Sequence, residues 1–349
     1  MASPLARMRY AVNQSARVAW YMGHYFASRP HHRQSGEDTS GRFTPSRETA
    51  GSNKILGDMA ELFQRDLENA ERGLYPMPRD HDGGPLTLLR RSRKYMSDVP
   101  VAAKRRAEKA SREVLTEDTK GKLPNYFLQN FHYQTGGYLT QESAELYDMQ
   151  VEVLFTGSAS VMRRQALVPL YECIHGRDQR RLKLLDVACG TGRFLRVVKD
   201  AYPRLNVTGL DLSASYAAEA KRHLQRCSRA DILTANAEQI PLPDNTVDIV
   251  TCIYLYHELP PKIRRVVAGE IARVLKPGGR LIFVDSLQFG DAPGYDGMLE
   301  MFPVRFHEPY FSSYVEEDLG AIFQAHGLER ISSTNAFLSK VVTFEKPHG

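Results

Sequence analysis

The sequence is poor in cysteine and contains no long apolar run. Its four cysteines among 349 residues show neither the paired spacing of a disulfide framework nor the spacing of a metal site. A reducing compartment is the simpler assumption, and we expect a cytoplasmic protein. No stretch approaches the roughly 18 consecutive apolar residues that a membrane-spanning helix needs, so no membrane span is expected. The 42% apolar and 25% charged content is typical of a soluble globular protein, and the length allows one large domain with a smaller one.

A third glycine is missing from the glycine-rich turn that is the best candidate for binding a nucleotide. Residues 182–187 (Leu-Lys-Leu-Leu-Asp-Val) read as a buried strand, followed by a small-residue turn from Ala188 to Gly192 and a helix that starts near Arg193. Such a turn leaves the backbone N–H groups at the helix N-terminus open to a ligand. A dinucleotide fingerprint requires a third glycine where Leu195 stands, which argues against NAD. A tight turn that merely needs glycine is the structural alternative.

Three stretches of the chain carry a family resemblance. The stretch 186–192, Asp-Val-Ala-Cys-Gly-Thr-Gly, resembles motif I of the class I S-adenosylmethionine (SAM) methyltransferases, with Ala188 in place of the first glycine. The stretches 242–248 and 273–281 resemble later motifs of small-molecule methyltransferases, and the nearest likeness is to the ubiquinone/menaquinone C-methyltransferase group. The likeness covers roughly residues 150–346 and is specific for SAM rather than for a substrate. It implies SAM as the cofactor.

From residue 182 onward, predicted strands and helices alternate, which is typical of a parallel sheet covered on both faces. The strand count with a final hairpin is that of the class I methyltransferases. The resemblance therefore implies an α/β fold with a doubly wound, seven-stranded, mostly parallel, Rossmann-like sheet in the order 3-2-1-4-5-7-6, preceded by a helical N-terminal extension. The predicted strands are 182–187, 206–210, 232–234, 247–253, 280–284, 329–334 and 340–345, and the predicted helices include 12–28, 53–73, 160–173, 261–275 and 315–326.

The N-terminal third differs from the rest of the chain in charge. Residues 1–120 carry 21 Lys and Arg against 15 Asp and Glu, whereas the remainder carries 25 against 26. We expect three parts. A basic, mainly helical region covers residues 1–122 with a flexible linker near 34–52, a helical lid or cap covers 123–175, and a SAM-binding domain covers 176–349.

The basic region leaves several functional interpretations open. The first 36 residues contain five arginines and no acidic residue, which is also compatible with a presequence, so the organelle matrix is the alternative location. Residues 90–112 carry nine basic and two acidic side chains and could dock a protein or RNA. However, no aromatic residues interleave with Lys104, Arg105 and Arg106 as base stacking would require. We favour a solvated helical face and do not expect nucleic acid as a partner.

The carboxyl ends of neighbouring strands are expected to meet beside the glycine turn. Asp211 ends the second strand, 19 residues after Gly192, and the resemblance implies that its carboxylate binds both ribose hydroxyls, with Leu212 beside it. Asn236 and Ala237 follow the third strand, where the resembled family contacts adenine. The other candidates for cofactor contact are Asp186, which is expected to order the turn, Ala188, Cys189, Gly190, Gly192 and Ile253.

The segment after the fourth predicted strand supplies His257 and Tyr256 as candidate catalytic residues. His257 could act as a general base, because imidazole titrates near neutral pH; the alternative is a structural histidine that caps the following helix. The Asn/Asp-Pro-Pro-Tyr motif of base-amino methyltransferases is absent here. The adjacent pairs His257-Glu258 and His307-Glu308 lack ligand spacing, so no metal is expected.

An aromatic patch over residues 123–140 precedes the sheet. The resemblance makes it a candidate lid over the SAM pocket, and the alternative is a core between helices. Candidate acceptor contacts are Tyr133, Tyr147, His307 and Tyr310. The pattern as a whole predicts a SAM-dependent methyltransferase acting on an O, N or C atom of a small-molecule acceptor. The alternatives are a protein or RNA methyltransferase docking through the basic region, or a non-catalytic SAM-binding assembly or regulatory protein.

Overall fold

A computed structural model describes residues 3–34 and 43–348. The strands are β1 Lys183–Val187, β2 Asn206–Asp211, β3 Ala230–Thr234, β4 Val247–Ile253, β5 Leu275–Ser286, β6 Glu329–Ala336 and β7 Ser339–Glu345. The α-helices of the described residues are α1 Pro4–Gln34, α2 Ser52–Glu71, α3 Pro85–Ala107, α4 Gln141–Leu154, α5 Ala159–Arg164, α6 Leu167–Ile174, α7 Arg193–Ala201, α8 Ala214–Leu224, α9 Pro261–Val274, α10 Asp296–Arg305, α11 Phe311–Val315 and α12 Leu319–Gln324.

The strands form one sheet in the order β3-β2-β1-β4-β5-β7-β6. β1 pairs in parallel with β2 and β4, whereas β7 runs antiparallel to β5 and β6. This confirms the predicted doubly wound sheet and its final hairpin. The direction of winding reverses between β1 and β4, so a crevice opens beyond the carboxyl ends of these strands.

The central strands are apolar along most of their length because helices cover both faces of the sheet. In β1 every residue after Lys183 is buried, and β7 is buried from Ser339 to Phe344. β6, at the sheet edge, has a polar sequence and is exposed over most of its length. A polar edge strand is one of the ways in which proteins keep a free sheet edge from pairing with another chain.

The N-terminal helices are part of the folded structure. Tyr21 of α1, Tyr95 of α3 and Met149 of α4 lie in a small apolar cluster that joins these three helices. The helix predicted over 12–28 is longer at both ends. Thr140 caps α4 by accepting a hydrogen bond from the Ser143 backbone N–H. Among the described residues, no helix is both long enough and apolar enough to cross a membrane.

Buried ion pairs attach these helices to the sheet domain. Arg164 of α5 donates hydrogen bonds to Asp66 of α2 over 3.0 and 2.8 Å and pairs with Asp80. Arg17 of α1 lies 2.5 Å from Asp82. Burial alone would raise the pKa of Asp80, but the charges of Arg164 and Arg17 hold it well below its usual range. The loop that carries Asp80 and Asp82 is thereby held between α1 and the sheet domain.

Asp66 is the most connected carboxylate of this network. Besides Arg164, the hydroxyl groups of Tyr10 and Tyr75 donate hydrogen bonds to it, over 2.6 and 2.8 Å. Its side chain is fully buried. Both carboxylate oxygens are therefore satisfied inside the protein, as a buried charge requires.

Several elements differ from their predicted form. The helix predicted over 160–173 is divided into α5 and α6, and the one predicted over 315–326 is divided into α11 and α12, the latter capped by Asp318. β5 begins at Leu275 rather than at residue 280, because the Pro-Gly-Gly sequence forms a bulge within the strand and not a turn before it. The helix α10 was not predicted.

The segment predicted as a flexible linker near 34–52 falls partly outside the described residues. Its described part, residues 43–51, lies along α10. Backbone N–H groups of Ser46 and Arg47 donate to the Glu300 carboxylate, and the Gly297 N–H donates to the Glu48 carbonyl. A Cβ on Gly297 would lie 2.6 Å from the Arg47 carbonyl oxygen, so glycine permits this close approach.

We expect Arg164→Leu to lower the free energy of unfolding by about 3–5 kcal/mol, because it removes the arginine that neutralises the buried Asp66 carboxylate and one of the two arginines beside Asp80. Arg180→Leu is the matched control, since Arg180 pairs with Asp178 on the surface, and it should leave stability unchanged. Denaturant unfolding of both variants measures the difference. Equal, small effects would show that the buried network does not hold the two regions together.

Candidate active site

The turn between β1 and α7 is held in left-handed conformations. Ala188, Gly190 and Gly192 have φ angles of 57°, 54° and 75°, which glycine adopts without strain. A Cβ on Gly192 would lie 3.0 Å from Ala220 of α8, whereas a Cβ on Gly190 would meet nothing within 4 Å. Gly192 therefore permits close helix packing, and Gly190 faces open space.

The Asp211 carboxylate at the end of β2 organises the front of this turn. One of its oxygens accepts a hydrogen bond from the Gly190 N–H and the other from the Ser213 N–H, both over 2.8 Å. Burial raises the pKa of Asp211 to about 6, against the opposing effect of these two hydrogen bonds. Each oxygen keeps a free lone pair, so the carboxylate can accept two further hydrogen bonds from a ligand.

A cavity of about 110 Å³ lies over these strand ends, and we call it the strand-end cavity. Asn236 at its wall is held in an Asx turn, because its amide oxygen accepts the Glu238 N–H over 3.0 Å. The same Glu238 carboxylate accepts a hydrogen bond from the Tyr126 hydroxyl over 2.8 Å. The predicted residues that line the cavity are Ala188, Gly190, Asp211, Leu212, Asn236, Ala237, Ile253 and Tyr147.

Aromatic side chains close the cavity from above. Tyr138 lies at their centre, with ring centroids 5.5 Å from Phe131 and 5.4 Å from Tyr216. These rings form a small core of their own, so the aromatic patch is at once core and cover. We call this group the aromatic roof; its members are Tyr126, Phe127, Phe131, Tyr138, Tyr147 and Tyr216.

Three predicted cofactor residues lie behind the cavity wall instead of in it. Asp186 accepts a hydrogen bond from the Thr251 hydroxyl over 2.6 Å, and burial raises the pKa of this carboxyl to about 7. Cys189 packs on β2, where a Cβ on Gly209 would come within 2.7 Å of its sulfur. With Gly192 against α8, these residues fix the turn from behind.

His257 is held by a buried carboxylate. Its Nδ1 lies 2.6 Å from Asp285 of β5. Burial alone would lower the pKa of His257, but the charge and hydrogen bond of Asp285 raise it to about 9. The helix-cap alternative is wrong, because α9 begins after Pro260 without a side-chain cap; the ring is tied to β5.

Tyr256 points into the core. Its ring is fully buried against Phe283 and Phe323, with centroids 5.0 and 5.3 Å away, and it is not part of the cavity wall. The structure therefore does not place the Tyr256 hydroxyl where a catalytic group could reach a ligand in the strand-end cavity.

Glu258 is the residue of this segment that brings a carboxylate to the cavity wall. Tyr138 donates a hydrogen bond to its carboxylate. Burial and the nearby Glu308 charge raise the pKa of Glu258 to about 7. The sequence prediction considered Glu258 only as half of an adjacent pair with His257, and it missed Glu258 as a cavity residue because a strand end followed by a 3₁₀ turn does not fix the side-chain direction.

The remaining acceptor candidates lie beside the roof. Tyr133 packs near His307, with ring centroids 5.7 Å apart. The His307 Nε2 lies 2.8 Å from the Gln129 side-chain oxygen, and the Gln129 amide donates to the Tyr310 hydroxyl over 3.1 Å. Tyr133, His307 and Tyr310 do not line the strand-end cavity, whereas the fourth acceptor candidate, Tyr147, does.

A second cavity of about 310 Å³ lies between the N-terminal helices and α4, and we call it the helix-side cavity. It shares Tyr147 with the strand-end cavity. Its wall combines apolar side chains with arginines. It includes Tyr25, Arg29, Tyr95, Val99, Arg106, His132, Val151, Leu154, Arg305 and Phe306.

Known proteins share this sequence pattern. A family model described as "Methyltransferase domain" matches residues 185–283. The demethylmenaquinone methyltransferase of Bacillus licheniformis is 29% identical over 169 residues, covering 42% of this chain and 70% of that protein. The ubiquinone/menaquinone biosynthesis C-methyltransferase UbiE of Methylobacterium nodulans is 28% identical over 202 residues, covering 57% and 77%. The structure of a SAM-dependent methyltransferase from Aquifex aeolicus is 20% identical with a TM-score of 0.40, over 54% of this chain and 93% of that one.

The matched region begins in β1 and ends in β5, so it contains the glycine turn, Asp211 and the strand ends that surround the cavity. SAM fits the donor set found there, since Asp211 has two lone pairs free and Gly190 faces open space. The chain is a SAM-dependent methyltransferase with the class I fold, and part of it is similar in sequence to the UbiE group of C-methyltransferases.

Proposed function

We propose that this enzyme transfers the methyl group of SAM to an O, N or C atom of a small-molecule acceptor bound beneath the aromatic roof. The observation that carries the proposal is the position of the roof directly over the strand ends. When bound, SAM supplies a methyl group on a positively charged sulfonium. The contribution of the protein is to hold the two partners at attack distance and to exclude water.

On this proposal some of the cofactor residues contact SAM directly and others hold the glycine turn in place. Asp211 accepts hydrogen bonds from the ribose hydroxyls, and Gly190 allows the ligand close to the backbone. Asn236 and Ala237 lie beside the adenine. Asp186, Cys189 and Gly192 act indirectly by holding the turn in the conformation that the other residues need.

The roof favours a flat, largely apolar acceptor. Aromatic rings interact well with other rings in offset-stacked and edge-to-face geometry. The Bacillus licheniformis relative is named for its action on demethylmenaquinone, which supports an acceptor of this kind. On this proposal Tyr147, which lines both cavities, contacts such a ring.

A general-base role suits His257 poorly, because its pKa is raised to about 9 and the imidazole therefore already carries a proton at neutral pH. We propose that His257 is a positioning residue instead. Its Nε2 lies 3.9 Å from the Glu258 carboxylate, so Asp285 acts on Glu258 through this ring. Glu258 is the group that reaches the cavity.

Some basic side chains of residues 90–112 have acidic partners within the fold, whereas others, such as Arg90, Arg93 and Lys104, are exposed. Arg105 is buried and bonded to Glu113 and to the Tyr133 carbonyl. Lys94 pairs with Glu145 of α4, 2.5 Å away. Part of the positive charge that the sequence places in residues 90–112 is therefore neutralised within the fold, which favours a small-molecule acceptor.

We expect label from methyl-tritiated SAM to enter the small-molecule fraction of a cell extract incubated with the enzyme. The protein and RNA fractions of the same extract serve as competing acceptors, and Asp211→Ala is the inactive control. Label confined to protein or to RNA would contradict the proposal in favour of a macromolecular substrate. The absence of transfer to any fraction, with SAM still bound, would favour a regulatory role.

Asp211→Ala should weaken binding of S-adenosylhomocysteine by about 1.5–3 kcal/mol, as expected for the loss of hydrogen bonds to a charged group. The wild-type affinity should also depend on pH. Above pH 6 the Asp211 carboxylate is ionised and accepts both hydroxyls; below pH 6 a proton competes, and the affinity should fall by up to about tenfold per pH unit. Calorimetry between pH 5 and 8 measures both effects.

The control for this pH dependence is Asp211→Asn. This variant should bind S-adenosylhomocysteine weakly and should lack the acid limb, that is, the fall in affinity below pH 6. Asp186→Asn should keep the limb, because Asp186 lies behind the wall. If the limb persisted in Asp211→Asn and vanished in Asp186→Asn, the ribose contact would have to be reassigned.

We expect S-adenosylhomocysteine to change hydrogen exchange in residues 123–147. The strand-end cavity, at about 110 Å³, is smaller than the roughly 300 Å³ at the lower end of ligand sites, so the roof must move to admit a nucleoside. Exchange in α6, which lies away from the roof, serves as the internal control. Protection confined to the glycine turn and Asp211 would show that the roof is not a lid.

A further inference from the structure

Three ionisable side chains converge beside the aromatic roof. Single ligand atoms of His132, Glu258 and Glu308 all lie within 4.8 Å of one another. They come from three different segments: the 3₁₀ turn Phe131–Tyr133, the 3₁₀ turn Tyr256–Glu258 and the loop between α10 and α11. This distance is short enough for the three side chains to share one ligand.

The cluster holds more negative charge than its protein neighbours neutralise. The Glu308 side chain has no exposed surface, and neither of its oxygens has a hydrogen-bond partner among the described residues. The His132 Nε2 is 2.8 Å from one of these oxygens, yet it does not make a hydrogen bond to it. The His132 Nε2 and the Glu308 oxygen are therefore close together but are not aligned for a hydrogen bond, so both are open to a shared ligand.

The positive charge of the nearby His257 does not neutralise the Glu258 and Glu308 carboxylates. His257 is 3.9 Å from Glu258, but its charge is matched by Asp285, 2.6 Å away on the other side of the ring. In the described part of the chain, Glu258 and Glu308 have ion pairs with histidine alone and none with lysine or arginine. Two carboxylates buried side by side are costly unless a cation joins them.

We propose that His132, Glu258 and Glu308 bind a divalent metal ion. One imidazole and two carboxylates suit Mn²⁺, Fe²⁺ or Zn²⁺, since nitrogen ligands are not favoured by Mg²⁺ or Ca²⁺. Three protein ligands leave coordination positions open, as in catalytic metal sites. The spacing of adjacent pairs along the chain predicts no metal because the ligands come from three separate segments.

The cluster lies between the two cavities. Glu258 lines the strand-end cavity and His132 lines the helix-side cavity. A metal ion held there would offer its open positions to an oxygen atom of the acceptor. This role rests on the proposed function, and it narrows the acceptor to a molecule with a hydroxyl or carbonyl oxygen next to the methylated atom; the metal site itself does not depend on it.

The test is calorimetric titration of the metal-stripped, full-length protein with Mn²⁺ and, separately, with Zn²⁺. We expect one equivalent of at least one ion to bind, and at least tenfold weaker binding in Glu308→Gln and Glu258→Gln. His132→Asn should be similarly weakened, and asparagine tolerates the left-handed backbone of this position (φ 52°). His307→Asn is the matched control and should bind as the wild type does.

Circular dichroism and melting temperatures of the metal-free variants establish that they fold. The proposal is overturned if neither ion binds stoichiometrically to folded wild-type protein, or if the control loses binding as much as the ligand variants do. Binding of S-adenosylhomocysteine to the same metal-stripped sample is measured in parallel. That measurement reports on the SAM site, so failure of the metal site and failure of the proposed function give different results.

Discussion

Arg193 joins the N-terminal helices to the glycine turn. It is the first residue of α7, directly after Gly192, and its guanidinium donates to the His81 carbonyl over 2.8 Å and to the Asp82 carboxylate over 2.7 Å. Asp82 in turn holds Arg17 of α1. The turn that faces the ligand is therefore not carried by the sheet alone: its far side is anchored in residues that precede the first strand by about a hundred positions. The N-terminal region is a structural support of the site.

The sheet was predictable because its signals are local. Each buried strand is a short apolar run, and the strand ends carry Asp211 and the glycine turn at spacings that are read directly from the sequence. Tyr256 and His257 show that the direction of a side chain after a strand end cannot be predicted in this way. Both follow β4, and only packing against Phe283 and the pairing with Asp285 decide that neither side chain enters the cavity while Glu258 does.

The aromatic roof illustrates a second limit. The sequence places many aromatic residues before the sheet, and cover and core were equally good interpretations. In the structure Tyr138 contacts Phe131 and Tyr216 as a core residue does and also binds Glu258 at the cavity. Tyr216 comes from α8, far along the chain, so no window of sequence contains the whole roof. His132 and Glu308 meet for the same reason, through tertiary packing.

The four hydrogen bonds around Asp66 restrict how this region can change in evolution. Tyr10, Tyr75 and Arg164 from three separate segments all depend on the same two oxygens. Replacing any one of them leaves the others bound to a carboxylate that has lost a hydrogen bond or, for Arg164, its charge partner, so the effects of substitutions here will not be additive. An apolar network could replace this one only if several positions changed together, so the packing of α1 and α2 against α5 is set jointly by these residues.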